Sequence, residues 1–331
     1  MLVALVGAAS PQSWALSDRD TPVPEPEMLY FHCDTTKHSD RNLIDMAREG
    51  LSEWLCEANL WVDGMLGGVA DVQAARQSHG RLSVAVGFSE RESWDFNLRL
   101  RVRVNLPNWE DRLSAFVGRE PDNDFVSGRS EGLALREEFP VLEDEEQWLA
   151  GLGYRLPTGY RIRSSFDVGA RSLDDPEIFL RQRILWNITT GNAHLVNLRL
   201  IPFWTNKDDL GVTFGLDAAV TTSDTTLLRW DYVGTKSGVT QSVDWRGAMV
   251  LYQSLGAATG IALEFYATGD TGRAESMREY GMRTIYRCPL IPRELFLLAS
   301  IGNGWFREPD GSTLRERFFN ANIVLDMPFG L

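Results

Sequence analysis

The feature that most constrains this chain is an alternation of apolar and polar residues that recurs from Arg81 to the C-terminus. Asn97–Asn105 shows it in the simplest form, with leucine or valine at the even positions and asparagine or arginine at the odd positions. Successive side chains of a β-strand point to opposite faces of the sheet, so this alternation predicts strands with two chemically different faces. The region is therefore expected to be all-β.

Fourteen segments carry the alternation, and an even number of antiparallel strands lets both ends of a closed sheet lie on the same side. Each segment approaches or exceeds the length of about 9–11 residues that a tilted strand needs to cross the hydrocarbon of a bilayer. The predicted strands are 81–89, 93–105, 111–119, 147–157, 159–170, 177–189, 193–205, 210–221, 225–234, 239–253, 258–267, 277–288, 294–306 and 314–329.

The connections between these segments alternate between two kinds. One kind is short and mildly apolar, as in 156–159 and 255–257, and the other is strongly polar, as in 89–92, 207–209 and the long segment 119–146. Membrane-spanning barrels place short turns on one side of the bilayer and more polar, often longer loops on the other. A soluble β-sandwich has no such requirement, so the two kinds in strict alternation favour a closed, antiparallel, up-and-down transmembrane β-barrel.

The arginines predict which face of each strand points to lipid. An arginine facing lipid near the midplane costs about 2–4 kcal/mol. Arg99, Arg101 and Arg103 are therefore expected to face the inside of the barrel, while Trp94 and Phe96 face lipid. A soluble barrel would show the opposite arrangement, with the apolar residues inside. The interior is thus expected to be wet and charged.

Applying the same sorting to the other strands predicts a charged lumen with more bases than acids. An arginine-lined lumen favours anions. The predicted inward bases are Arg99, Arg101, Arg103, Arg161, Arg163, Arg181, Arg183, Arg199, Arg229, Arg246, Arg283 and Arg287, and the predicted inward acids are Asp95, Asp167, Asp217, Asp231, Asp244, Glu264 and Glu279.

The last predicted strand places Phe319, Ile323, Leu325 and Phe329 on one face, almost to the C-terminus. This resembles the C-terminal signal of bacterial outer-membrane barrels, which usually end on an aromatic residue; here Gly330 and Leu331 follow. The segment Leu60–Gly67, read as LWVDGMLG, is similar to a motif of uncharacterised proteobacterial barrel proteins. The resemblance implies a porin-like barrel of about fourteen strands, or twelve as the alternative count, inserted into the outer membrane by the barrel assembly machinery.

The first 80 residues differ in pattern from the rest. We interpret 1–15 as a signal peptide, although the usual basic residues at its start are missing, 16–80 as a periplasmic segment and 81–331 as the barrel. Within 16–80 a Pro-rich linker precedes a stretch from about Asp40 to Leu60 in which apolar residues recur at helical spacing, and this predicts an amphipathic α-helix. The helix is expected to pack at the mouth of the barrel or, through residues 40–66, to bind a periplasmic partner.

The chain has three cysteines. Cys33 and Cys56 flank the predicted helix, and in an oxidising compartment they could form a disulfide. Two unpaired thiols are the alternative.

Charge and motifs limit the classes of function. The net charge of −13 argues against a nucleic-acid partner. None of the four histidines falls at the middle of an inward-facing strand, so a histidine-assisted nucleophile inside the barrel lacks its base. The acid pairs at 174–175 and 208–209 are candidates for carboxylate catalysis, although solvated charge explains them more simply. No metal-ligand spacing or phosphate-binding loop is present, so no enzyme activity, metal or cofactor is expected.

The sequence favours a passive channel for small polar or anionic solutes. The alternative is a non-conducting structural or assembly barrel, closed by paired charges and by the helix of 40–60. The acid-rich segment 119–146 allows two arrangements: inside the lumen opposite the arginines, or outside, where its acids meet divalent cations bridging lipopolysaccharide. Outer-membrane lipid and lipopolysaccharide are therefore expected partners.

Overall fold

The computed structural model describes residues 79–91, 93–106, 112–121, 146–157, 159, 161–172, 175–189, 194–240, 242–256, 258–273, 276–292, 294–307 and 314–329. These ranges form fourteen β-strands. They are β1 His79–Ser89, β2 Ser93–Leu106, β3 Leu113–Pro121, β4 Glu146–Arg155, β5 Ile162–Arg171, β6 Glu177–Thr189, β7 His194–Thr205, β8 Asp209–Ser223, β9 Thr226–Ser237, β10 Asp244–Gly256, β11 Thr259–Asp270, β12 Met277–Ile291, β13 Leu295–Phe306 and β14 Glu316–Phe329.

The strands close into a single antiparallel barrel in which each strand pairs with its neighbours in sequence. β1 completes the circle by pairing with β14, from Gly80 opposite Phe329 to Ser89 opposite Asn320. The predicted up-and-down topology and the count of fourteen, rather than twelve, are confirmed. With an even number of strands, the start of β1 and the end of β14 lie at the same rim, which we call the periplasmic rim.

The predicted strands match the observed ones within a few residues, and the largest difference is at the start of β10. The alternation predicted a strand from residue 239, but β10 begins at Asp244. Ser237 and Thr240 explain the difference: the backbone N–H of each donates to the side-chain oxygen of the other, at 3.0 and 3.2 Å. Because these local bonds satisfy the backbone, they replace sheet pairing and keep Val239 in the loop.

The two faces of the wall differ in chemistry as predicted. Phe96, Ile301 and Ile323 face outward and are 68%, 60% and 56% exposed, whereas Arg229 and Arg283 face inward and are 3% exposed. A water-soluble protein would have to hydrate the apolar outer surface, but a bilayer covers it with acyl chains. The sheet therefore carries its apolar face toward lipid.

Phe329 and Gly80 form part of the seam between β1 and β14. They are opposite each other in register, and a Cβ added to Gly80 would lie 2.3 Å from Cζ of Phe329. The phenyl ring therefore occupies the space that any other residue at position 80 would need. It packs with Val102 and Val104 into an apolar cluster on the outer surface that includes residues of four strands, β14, β1, β2 and β3.

The predicted signal peptide, the periplasmic segment with its helix, the Cys33–Cys56 pair and most of the segment 119–146 lie outside the described residues. Within the ranges given above there is no helix that is long and apolar enough to cross a membrane.

Candidate functional site: the inner wall of the barrel

Asp167 of β5 is the centre of an ion-pair cluster on the inner wall. Its Oδ2 lies 2.8 Å from Nε of Arg181 and 2.7 Å from Nη2 of Arg183, both on β6. Asp167 is directly opposite Arg181 in register, and Arg183 follows two residues later on the same face. With its side chain 1% exposed, the carboxylate is excluded from water and neutralises part of the charge of two guanidinium groups.

Three further arginine–carboxylate pairs extend this charged layer around β7 to β12. Arg229 of β9 pairs with Asp217 of β8. Nε of Arg283 donates to Oε2 of Glu264 on β11 at 2.6 Å, and Arg199 of β7 lies 3.3 Å from Asp231 of β9. Each pair joins two strands and is almost fully buried, so these contacts tie the wall together and also determine its local charge. The pairs are Arg229–Asp217, Arg199–Asp231 and Arg283–Glu264.

The inner face of β1 and β2 carries a different arrangement, which we call the arginine stripe: Arg81, Arg99, Arg101 and Arg103. Arg81 is directly opposite Arg101, and Ser83 is opposite Arg99. All four side chains are only half-buried. Asp326 of β14 is 3.7 Å from Nε of Arg81 and accepts a hydrogen bond from Ser83 at 2.7 Å. Like charges opposite each other destabilise a sheet, so Arg81 and Arg101 repel each other across the two strands.

The interior, which was expected to be wet and charged, is apolar in part of the wall. Ten buried apolar side chains face inward there and form one cluster on β10 to β14 and β1. These apolar residues occupy the same alternating strand positions as the inward charges. Val250, Ile285 and Leu298 each lie between two outward-facing residues, as the inward arginines do. The sorting of side chains by alternation identified the lipid face correctly. It considered only the charged residues of the inner face and did not predict that apolar residues also form part of that face. The cluster consists of Ala85, Ala248, Val250, Tyr252, Ala262, Tyr266, Ile285, Phe296, Leu298 and Val324.

Arginines lie against the aromatic members of this sector. The guanidinium carbon of Arg287 is 3.7 Å from the centroid of the Phe296 ring, and its Nη1 donates to the carbonyl of Ala258 at 3.3 Å. Nearer the outer rim, Arg91 lies 3.7 Å above the Phe306 ring and 3.2 Å from Glu279. Cation–π contacts of this kind help to hold a guanidinium against an apolar wall.

Most of the predicted lumen residues lie on inward-facing strand positions, and a few lie at the rims. Arg161 is in the turn before β5, where its carbonyl accepts a bond from the backbone of Asn187, so it is not in the middle of the wall. Arg163 and Asp244 lie near strand ends and are exposed. The inward positions within the strands are held by Arg99, Arg101, Arg103, Arg181, Arg183, Arg199, Arg229, Asp231, Arg246, Glu264, Arg283 and Arg287.

Sequence reasoning missed four inward residues that make ion pairs. Arg171 forms a double contact with Glu177, at 2.8 and 2.9 Å, and also lies 3.2 Å from Asp208. Arg81 and Asp326 form the pair near the seam. The signal was present, because each of these residues alternates with outward apolar neighbours, as Asp326 does with Leu325 and Met327.

Two of the candidate acids of the outer loops contact cations. Asp175 pairs with Lys207, and Asp208 pairs with Arg171. Of the described histidines, His79 and His194 begin β1 and β7 and so lie at the periplasmic rim. Among the residues described, no group of three or more His, Cys, Asp or Glu is arranged to hold a metal ion.

Comparison with known proteins gives solved structures of bacterial outer-membrane proteins. No family model matches the chain, and no curated protein matches it. The outer-membrane channel DcaP of Acinetobacter baumannii aligns with 76% of this chain and 96% of its own at 11% identity, with a TM-score of 0.48. The anion-selective porin from Comamonas acidovorans aligns with 76% and 98% at 11% identity, with a TM-score of 0.46. OmpT, an outer membrane protein of Vibrio cholerae, aligns with 76% and 96% at 11% identity and 0.42.

Likeness at this level gives no argument about what this chain transports or binds. The assignment of the fold depends on the chain's own geometry: a closed antiparallel sheet, an exposed apolar outer face and buried charges on the inner face. A lipid bilayer matches the apolar outer face, and the enclosed lumen matches the charged inner face. In bacteria, the membrane that proteins span as closed barrels is the outer membrane. The chain is a 14-stranded transmembrane β-barrel of the bacterial outer-membrane type.

Proposed function

We propose that this barrel is an outer-membrane channel for small polar solutes, with a preference for anions. The observation that carries the proposal is the arginine stripe, whose four members face inward on two adjacent strands. Arginines two residues apart on a strand are separated by about 6.8 Å, and residues opposite each other on paired strands by about 5 Å. Four positive charges at this spacing, in a lumen of low dielectric, attract an anion from several points at once.

The rest of the wall supports this preference by contributing less net charge. On β5 to β12 the acids Asp167, Asp217, Asp231 and Glu264 are ion-paired with arginines at the same level. These pairs reduce the net positive charge of that sector without removing it, since Asp167 faces both Arg181 and Arg183. The stripe on β1 and β2 adds four arginines that face inward on two adjacent strands, and we expect it to contribute to the attraction of an entering anion. Transport without catalysis is part of the proposal.

Planar-bilayer electrophysiology tests the proposal directly. The full chain is compared with a variant in which Arg99, Arg101 and Arg103 are each replaced by glutamine. We expect the reversal potential in a salt gradient to move toward cation preference. A matched control replaces the outward-facing Arg278, Arg315 and Arg317 by glutamine, which changes the net charge equally, and should leave selectivity unchanged. Equal selectivity of all three proteins would contradict the role of the stripe.

A second candidate function is a closed barrel that serves structure or assembly, and the burial of the inner wall favours it. Fourteen strands about 4.8 Å apart, tilted by about 40°, enclose a backbone diameter of about 28 Å. Side chains of opposite walls do not meet across that width, yet Arg181, Arg229 and Arg283 are 4%, 3% and 3% exposed. Such burial favours a lumen that is filled rather than open.

In that case residues 40–66 would bind either the lumen or a periplasmic partner, and lipopolysaccharide and the assembly machinery would be contacts of the barrel surface. The discriminating measurement is the conductance of the full chain and of a variant lacking 16–66. Conductance that appears only after the deletion supports a closed barrel. Absence of conductance in both proteins would remove the channel function.

A further inference from the structure

The outer surface of β12, β13 and β14 carries a basic patch at the rim opposite the chain ends. We call it the outer arginine patch and define it as Arg278, Arg315 and Arg317. The patch lies at the rim opposite the periplasmic one, where β12 begins at Met277 and β14 begins at Glu316. Arg278 and Arg317 are exposed, and Arg315 is half-buried.

Register shows that Arg317 faces lipid and not the lumen, and Arg315 lies against the ring of Tyr280 on the same face. Tyr280 is opposite Trp305, which is opposite Arg317, so the three share a face. Met282, two residues beyond Tyr280, is 42% exposed, whereas its neighbours Gly281 and Arg283 are buried and face inward. The patch is therefore on the outer surface, independent of the lumen.

Two aromatic rings place the patch at the level of the lipid headgroups. Tyr280 and Trp305 stack with their centroids 5.3 Å apart and an angle of 18° between their planes. Tyrosine and tryptophan concentrate at the boundary between hydrocarbon and headgroups in membrane barrels. Below this pair the same face continues with Phe319, Ile301 and Ile323, which are 36%, 60% and 56% exposed and suit acyl chains.

The arginines of the patch are held in place by neutral oxygens. Arg315 donates from Nη2 to the carbonyl of Met277 at 2.9 Å and from Nη1 to that of Arg278 at 3.4 Å, and it lies 5.0 Å from the centroid of the Tyr280 ring. Arg317 donates to Oδ1 of Asn303 at 2.8 Å. These contacts orient the guanidinium groups, and the neutral oxygens do not cancel their charge.

Charge pairing separates this patch from the lumen. Arg181, Arg229 and Arg283 of the inner wall contact carboxylates. Within the described residues, none of the three patch arginines has a carboxylate within ion-pair distance. Asp244 and Asp270 act on Arg278 electrostatically at longer range. Arg315 and Arg317 therefore give this part of the outer surface a positive charge, although the chain as a whole has a net charge of −13.

We propose that the outer arginine patch binds the phosphate groups of an outer-leaflet glycolipid, lipopolysaccharide, whose acyl chains lie along the apolar face below. A guanidinium group matches the geometry of a phosphate and forms paired, charge-assisted hydrogen bonds with it. A phosphate at this level meets several oriented donors, and the apolar wall beneath accepts the lipid tails. Phosphate recognition and tail burial then act on one molecule.

The test measures binding of bis-phosphorylated lipid A to the full chain in detergent, with dephosphorylated lipid A and inorganic phosphate as comparison ligands. In the variant Arg315→Gln/Arg317→Gln, we expect the affinity for bis-phosphorylated lipid A to fall by about tenfold or more, where tenfold corresponds to about 1.4 kcal/mol. Dephosphorylated lipid A should bind wild type and variant equally. The matched control Lys207→Gln/Lys236→Gln removes two other charges near the same rim and should bind like wild type.

Three results would overturn the proposal: unchanged affinity in the patch variant, an equal loss in the control, or displacement of lipid A by inorganic phosphate at similar concentrations, which would indicate a site for free phosphate. The single variant Arg317→Gln keeps the test available if the double variant does not fold, as judged by heat-dependent migration on gels. Lipid A binding does not depend on channel function. The conductance of the same variants is measured separately, so a failure of one proposal can be distinguished from a failure of the other.

Discussion

Replacement of Asp167 by asparagine is expected to be among the most destabilising changes in the wall. The carboxylate lies within 2.8 Å of Arg181 and Arg183, and its side chain is 1% exposed while theirs are 4% and 10% exposed. Asp167→Asn keeps the size of the side chain but removes the negative charge. Two buried guanidinium groups then lose the negative charge of the carboxylate that lies between them, and breaking a buried pair in this way costs about 3–5 kcal/mol.

A surface ion pair provides the matched control. Asp175 pairs with Lys207 at the outer rim, but its side chain is 80% exposed. Asp175→Asn should therefore cost less than about 1 kcal/mol. Both variants are measured by urea unfolding of the refolded barrel in lipid vesicles, followed by tryptophan fluorescence.

A third variant separates lost charge balance from general damage. If Asp167→Asn is combined with Arg181→Gln and Arg183→Gln, all three charges of the cluster are removed together, and more than half of the lost stability should return. An Asp167→Asn effect as small as that of Asp175→Asn would mean that water screens the inner wall at this level. The reasoning about a dry, ion-paired layer would then be refuted.

The lipid-facing assignment predicts that Ile323→Arg, near the middle of β14, lowers the free energy of unfolding by about 2–4 kcal/mol in vesicles. Asn322→Arg on the inner face should be tolerated much better. Equal effects of the two substitutions would contradict the assignment. Gly169→Ala should destabilise the barrel by about 1–3 kcal/mol, because its Cβ would lie 2.2 Å from the carbonyl oxygen of Ala150, which cannot move aside without disturbing the sheet. Gly159→Ala is the control, since a Cβ there meets nothing within 4 Å, and similar unfolding midpoints for the two alanine variants would count against the close approach.

The barrel was predictable from sequence because its two environments impose a strict period of two. Lipid accepts no charge at the midplane, so residues such as Leu98, Trp230 and Ile323 appear at every second position and identify the strands. The same constraint located the ends of most strands. It failed at Val239, where an apolar residue continued the alternation but local bonds between Ser237 and Thr240 produced a loop.

The inner wall was less predictable, because nothing outside the barrel constrains what its residues are. The alternation of residues placed Glu264 and Arg283 on the inner face. It could not show that these two side chains pair with each other, since pairing depends on the register between β11 and β12. It also could not anticipate the apolar sector, where both faces of β13 are apolar: Leu297 faces outward and Leu298 inward. Charge pairing and burial are properties of the closed sheet.

The central claim is that apolar side chains face lipid while the polar and charged side chains of the same strands face the lumen. Spin-label accessibility along β14 tests it most directly, with single nitroxide side chains at positions 320 to 325 in a variant whose Cys33, Cys56 and Cys288 are serine. In bilayers, labels at 321, 323 and 325 should show high collision rates with lipid-dissolved oxygen, and labels at 320, 322 and 324 low rates. Oxygen accessibility that is highest at the even positions, or uniform along the strand, would contradict the account.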